Sequence, residues 1–386
     1  MEYLFWLGFF GIAYAYFGYP AVLAVWAQVA SRPISSDIQQ LPSVSVILPA
    51  YNEAGNLRAR LTNLAKTEYA PGRIEFIIVS DGSSDETESI GRNFQATDPR
   101  FRVIALESRE GKAGALNIGV SSSEAEIIVF TDAGIFLDTG AIHEIVKPFG
   151  DPAVGCVSGE DWIHSGGGEA LYGRYELHLR NLESKVGSIV GASGSFYAQR
   201  RHLVPEFVAG VAPDFHSVLH VISSGYRAIS EPSARGRMEA TGSSRREFQR
   251  KVRTVLRGMT AVAHYRSLLN PLRSGSFAVA LISHKLARWF VPFWLVLMLA
   301  THPLLLSRPF FQVLAIPHIG FYLMGIVGLV GETQISKLLV ARIPAYFINV
   351  NAAITVAAWR FATGARQELW DPTARGDVPS SPPSSA

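Results

Sequence analysis

Apolar positions gather at the two ends of the chain. From Tyr3 to Ala30 no charged residue interrupts the run. A helix needs roughly 20 apolar residues to cross the hydrocarbon core of a bilayer, so this stretch is long enough to span. Only Met1 and Glu2 precede it and Arg32 follows it. That pattern lacks the basic start of a cleaved signal peptide. By the positive-inside rule it places residue 32 onward in the cytoplasm. Three further apolar segments close the chain, at 290–307, 309–331 and 338–359. Just before them, 277–289 carries His284, Lys285 and Arg288 among apolar residues, which predicts an amphipathic helix lying in the membrane interface. If all three late segments cross, the tail with Arg360, Arg366 and Arg375 lies outside, against the same charge rule. One segment lying flat or re-entering would remove the conflict. The last residues, 379–386, are Pro/Ser-rich and read as disordered.

Between the ends the pattern changes. Short β-branched runs occur at 44–48, ending at Pro49, and at 74–79, ending at Ser80-Asp81-Gly82. Others occur at 103–106 and at 127–130, the latter ending at Thr131-Asp132. Helix-like stretches such as 56–66 and 84–95 separate them. Buried runs alternating with helices predict an α/β domain with a mostly parallel, doubly wound sheet. Ligands of such sheets bind at the carboxyl ends of the strands, here near Asn52, Asp81 and Asp132. The expected division is an anchor over 1–31, a cytoplasmic α/β domain over 42–240 and basic juxtamembrane and interfacial helices over 241–289. Transmembrane segments over 290–360 and a polar tail over 361–386 complete it.

Composition agrees with a membrane protein. Of 386 residues, 48% are hydrophobic and 17% charged, against about a quarter charged in soluble domains. The single cysteine, Cys156, excludes an intrachain disulfide and a multi-cysteine zinc site. A net charge of +3 gives no case for nucleic acid in bulk. There is neither a GxGxxG fingerprint nor a GxxxxGK[ST] loop, and His143-Glu144 lacks the second histidine of a zincin. Between Ser243 and Arg273 there are eight basic residues and one acid, Glu247. This reads as a basic stripe attracted to anionic lipid of the inner leaflet. Two aspartates have a plain alternative as helix caps. Asp81 could cap the next helix, although Ser83 or Ser84 could do so instead, and Asp214 could cap a helix starting near Phe215.

Four short patterns then follow in order: Pro49-Ala50-Tyr51-Asn52-Glu53, Ser80-Asp81-Gly82-Ser83-Ser84-Asp85, Gly111-Lys112-Ala113-Gly114-Ala115-Leu116-Asn117 and Thr131-Asp132-Ala133. The set resembles the family 2 inverting glycosyltransferases with a GT-A fold. The similarity is closest to the membrane-embedded branch of cellulose, hyaluronan and poly-N-acetylglucosamine synthases, and it covers about 42–273. The resemblance implies a UDP-sugar donor held by Pro49, Tyr51, Asn52, Glu53, Asp81, Lys112, Asp132, Arg250 and Arg253. A carboxylate such as Asp81 can accept from a uracil N–H. Lys112, in a Gly-rich loop, suits a diphosphate. Asp132 aligns with the first acid of the family's DxD motif and implies Mg2+ or Mn2+. The second acid is Gly134, and Asp138 could help only if the loop folds back. The acceptor loop resembles Gly191–Phe196, with Gly194 and Ser195 beside the acceptor. Asp214, in Pro213-Asp214, is the implied base. Arg250-Lys251-Val252-Arg253 resembles the (Q/R)xxRW motif with Thr254 in place of tryptophan, so long processive synthesis is not implied. Trp162, His164 and the helix-like 172–185 lie where the family has acceptor neighbours, or form an amphipathic helix packed under the sheet. The implied partners are a UDP-sugar, a glycan or lipid-linked acceptor, membrane lipid and partner subunits of an export machinery, with the protein multi-pass in the cell membrane. Two other readings stay open: a sugar transferase acting on polyprenyl phosphate, and a catalytically silent subunit of a synthase.

Overall fold

A computed structural model describes residues 1–34, 38, 40–163, 168–238, 244–331 and 334–365. His164 and the tail after residue 365 lie outside the described residues. The chain folds as two compact units. One is built on a sheet and comprises Arg32–Ser165 and Gly187–Arg246. The other contains the apolar helices and comprises Met1–Ser31, Gly166–Val186 and Glu247–Arg366.

Among the described residues the sheet unit has eight strands: β1 (Val44–Ala50), β2 (Ile74–Ser80), β3 (Phe101–Ala105), β4 (Ile127–Thr131), β5 (Ile135–Leu137), β6 (Val154–Ile163), β7 (Phe196–Arg200) and β8 (Arg227–Met238). Their order is β3-β2-β1-β4-β7-β6-β8-β5. The four strands expected from the sequence form the parallel half, β3-β2-β1-β4. Their apolar runs are continuous because both faces are covered. Val44, Val46 and Leu48 of β1 enter one core layer, whereas Ile47 enters the other. The remaining half is mixed: β7 runs antiparallel to β4 and β6, β8 runs parallel to β6, and β5 runs antiparallel to β8. The sheet is therefore less parallel than its first half predicts.

Among the described residues the second unit contains three helices long and apolar enough to cross a membrane: Glu2–Val29, Pro309–Val330 and Leu339–Ala362. A fourth candidate is the pair Ser276–Trp289 and Val291–Leu305, bent by 48°. The stretch expected to lie in the interface thus continues into an apolar helix through a sharp bend. Its polar residues are not left facing lipid. His284 and Arg288 are buried and pair with the helix Gly168–Val186. The two ring nitrogens of His284 lie 2.6 Å from Glu183 and 3.1 Å from Glu176, and Arg288 pairs with Glu176. Arg288 also donates to the hydroxyls of Tyr172 at 3.1 Å and Tyr175 at 3.0 Å, while Tyr19 donates to Glu183 at 2.9 Å. The helix Gly168–Val186 therefore packs in the apolar unit, with Leu179 and Val186 against Tyr19 and Leu23.

Candidate active site

The site is built at the carboxyl ends of β1, β2 and β4. After β1 the backbone turns through Asn52, whose φ of 51° is the one left-handed non-glycine conformation among the described residues. Asparagine tolerates that region better than most residues. The Asn52 side chain ties the loop to the next one: Ser84 N–H donates to its Oδ1 at 2.8 Å. The neighbouring loop needs Gly82, with φ 60°. A methyl group there would stand 2.8 Å from the Arg109 nitrogen. Asp85 takes the capping work considered for Asp81. It accepts from Thr87 N–H at 3.0 Å and from Ala54 N–H at 3.0 Å, at the starts of two helices. Glu53 N–H donates to Thr87 Oγ1 at 2.9 Å.

Asp81 is thereby released. It is 2% exposed. Its Oδ1 accepts from Glu110 N–H at 2.7 Å, and its Oδ2 is buried without a hydrogen-bond partner among the described residues. An unpaired buried carboxylate oxygen is costly, so this position is poised for a donor from outside the protein. Nearby, the Arg109 guanidinium lies 3.9 Å above the Tyr51 ring. Neither the sequence pattern nor the motif pointed to Arg109.

Asp132 follows β4. Its N–H donates to Ser195 O at 3.2 Å, and its carboxylate accepts from Lys112 Nζ at 2.6 Å. Beneath it lies Arg60, fully buried. Arg60 donates to Asp132 O at 3.3 Å and to Thr131 Oγ1 at 2.8 Å, and also to Asn63. Burial lowers the Arg60 guanidinium to about 9, and the charge of Asp132 opposes that shift, so Arg60 stays cationic at neutral pH. The sequence did carry a signal for it. Arg60 shares the apolar stripe of Leu57, Leu61 and Leu64, where a solvated arginine would not sit.

One cleft is lined by Pro49, Lys112, Asp132, Gly194, Tyr197 and Asp214, among others. Asp214 is the second residue of the helix Pro213–Ser223, whose N-cap position is Ala212, so it stands in the first turn rather than at the cap. A methyl added to Gly194 would lie 3.7 Å from the Asp214 carboxyl. Glycine at 194 thus leaves room in front of this carboxylate. The Ser195 side chain is buried and does not line the cleft. Asp138 pairs with Arg237 at 3.4 Å and is likewise absent from the lining. Arg250 and Arg253 lie on the helix Ser244–His264 of the other unit. Trp162, at the end of β6, donates to Glu160 at 2.9 Å.

Among the described residues no three His, Cys, Asp or Glu side chains gather as a metal cage. The cleft offers the single carboxylate of Asp132 beside Lys112. That donor set does not suit a closed zinc site. It does suit Mg2+ or Mn2+, which is commonly held by one or two carboxylates together with substrate phosphates.

A mixed sheet whose first half is parallel, with acids and a lysine at its carboxyl edge, is the architecture that the GT-A resemblance implies. The comparisons agree. The model of glycosyl transferase family 2 matches residues 45–206. An N-acetylglucosaminyltransferase of Bradyrhizobium elkanii is 32% identical over 150 residues, covering 37% of this chain and 81% of that protein. A poly-beta-1,6-N-acetyl-D-glucosamine synthase of Staphylococcus epidermidis is 33% identical over 172 residues, covering 42% of this chain but only 40% of that protein. A mannosyltransferase from Pyrobaculum calidifontis, solved in complex with GDP-Man and Mn2+, superposes with a TM-score of 0.71 at 22% identity. That match covers 93% of this chain and 99% of the other, and it establishes the fold. The chain belongs to glycosyl transferase family 2 and is a glycosyltransferase.

Proposed function

We propose that this enzyme transfers N-acetylglucosamine from UDP-N-acetylglucosamine to a growing glycan in one inverting displacement at the cytoplasmic face of the cell membrane. The observation that carries the reading is the convergence of Lys112, Asp132 and Asp214 on one cleft. The choice of sugar is supported by the two bacterial relatives, an N-acetylglucosaminyltransferase and a poly-beta-1,6-N-acetyl-D-glucosamine synthase.

In this reading Asp81 receives the uracil N–H on its unpartnered oxygen, and the Tyr51–Arg109 pair flanks the base. Asn52 and Glu53 shape the loop around the ribose. Asp214 accepts the proton of the acceptor hydroxyl, whose oxygen attacks the anomeric carbon. The bond from that carbon to the diphosphate oxygen breaks, and UDP departs with the electron pair. Lys112 turns from Asp132 to the diphosphate, and Arg250 and Arg253 are proposed to add positive charge to it. Asp132 would hold Mg2+ or Mn2+, which supplies charge neutralisation for the diphosphate. Arg60 keeps the Asp132 backbone in place. Ser195 contributes through the carbonyl that receives Asp132 N–H, and Gly194 through the space it leaves for the acceptor.

The test is to incubate detergent-purified protein with a panel of radiolabelled UDP-sugars and to follow UDP release and product size. Release that is fastest with UDP-N-acetylglucosamine, with label in a glycan, is the expected result. Preference for another sugar rejects the donor assignment.

A further inference from the structure

Within the apolar unit, the bend between Ser276–Trp289 and Val291–Leu305 opens a pocket of about 740 Å3. Its walls come from both arms of the bend, from the C-terminal part of the helix Ser244–His264 and from the last turns of Leu339–Ala362. Met259, Trp289, Phe293, Ile354 and Phe361 represent them. The lining is almost wholly apolar, and its one charged residue is Arg266. Arg266 is exposed and makes no hydrogen bond or ion pair among the described residues. This sets it apart from Arg288, whose guanidinium is committed to Glu176, Tyr172 and Tyr175. Arg273 and Arg360 of the same unit are exposed as well.

A pocket of this volume has the size of a small-ligand site. Its apolar interior selects a hydrocarbon chain, and a single unpaired cation at it selects a negative headgroup. We infer that the pocket is a specific site for an anionic phospholipid, with an acyl chain against Trp289 and Phe293 and the phosphate on Arg266. The site has a consequence for the enzyme. The helix forming one wall also carries Arg250 and Arg253, so a bound lipid fixes the C-terminal half of the element that bears them.

The binding test is independent of transfer. The protein is placed in nanodiscs containing phosphatidylglycerol or phosphatidylcholine with brominated acyl chains. The fluorescence contributed by Trp289 is isolated by difference from Trp289→Phe. Half-maximal quenching is expected at about fivefold lower mole fraction of phosphatidylglycerol, the worth of one arginine at an anionic lipid surface. Arg266→Gln should bring the two curves together, whereas Arg266→Lys should keep most of the preference. Ala358→Phe, which fills the pocket, should reduce quenching by both lipids. Coincident curves in the wild type, or an undiminished preference in Arg266→Gln, overturn the proposal. Displacement of the brominated lipid by equimolar polyisoprenyl phosphate but not by plain phosphatidylglycerol would overturn the phospholipid assignment in favour of a lipid acceptor.

Discussion

Two regions of this protein place charge out of water, and they do it in opposite ways. In the apolar unit, Glu183 and His284 have side chains only 1% and 4% exposed, and both are fully engaged with each other, Glu176 and Tyr19. In the sheet unit, the Lys112 and Asp132 side chains keep 16% and 27% exposure, and Asp81 retains a buried oxygen with no partner. The first arrangement is largely closed: its carboxylates and its imidazole are all paired, and Arg288 alone keeps a buried Nε without a hydrogen-bond partner among the described residues. The second is incomplete without a ligand. Burial alone therefore does not mark a functional charge; at Asp81 an unpartnered acceptor coincides with the carboxyl edge of the parallel strands.

The comparison can be broken by substitution. Asp132→Asn should lower transfer by about 10⁴-fold, several kcal/mol of lost charge stabilisation. It should also abolish any Mn2+ dependence of UDP binding while the domain stays folded. Titrating UDP with and without Mn2+ decides this, and unchanged metal-dependent binding rejects the role. Asp214→Asn should lower the rate by roughly 10²–10⁴, the usual worth of a general base, with UDP-sugar affinity near normal. A rate within a few-fold of wild type removes Asp214 as the base.

The closed cluster should respond in stability instead. Arg288→Met takes the guanidinium from Glu176, whose side chain is 20% exposed and still faces His284 at 3.1 Å, and should cost about 1–3 kcal/mol. Adding Glu176→Leu should recover much of that loss, because an apolar pair of similar volume replaces a buried ion pair at little cost. Thermal unfolding in detergent measures both. Asp81→Asn sharpens the contrast most finely. UDP binding should weaken about tenfold to a hundredfold, the loss of one charge-assisted hydrogen bond. The melting temperature should hold or rise, since an unpaired buried charge has gone. A clear fall in melting temperature would mean that Asp81 is a structural residue.

How much of this was legible depended on whether a signal was local. The strands β1 to β4 read plainly because each is a continuous apolar run that stops at polar residues. The second half of the sheet did not. Strand β8 contains Ser-Glu-Pro-Ser and then alternates Ala234, Arg235, Gly236, Arg237 and Met238, so its inward positions are partly small. Gly236 packs against Ile135, where a methyl would come within 2.5 Å. Pairing of that kind is fixed by a distant partner and not by local periodicity. In the site, Asn52, Asp81, Lys112, Asp132 and Asp214 were picked out by their motifs, and three of these five, Asn52, Asp81 and Asp132, follow the adjacent strands β1, β2 and β4. Arg109 was missed because it acts through a contact far away in sequence with Tyr51, whereas Arg60 stood on the apolar stripe of its own helix and that local signal was passed over. The polar partners of Gly168–Val186 were missed for the same reason as Arg109, since nothing near Glu176 announces Arg288.

The pairing of Lys112 with Asp132 carries a kinetic consequence. In the cleft, Lys112 is matched by Asp132 at 2.6 Å, so this lysine projects little field of its own into solution. A charged donor would gain little electrostatic steering from it on its way in. Its association rate should then change only weakly with ionic strength, even though the bound diphosphate is gripped by full charges. Discrimination is thereby deferred from the encounter to the exchange of partners inside, where Lys112 leaves Asp132 only for a molecule able to replace it.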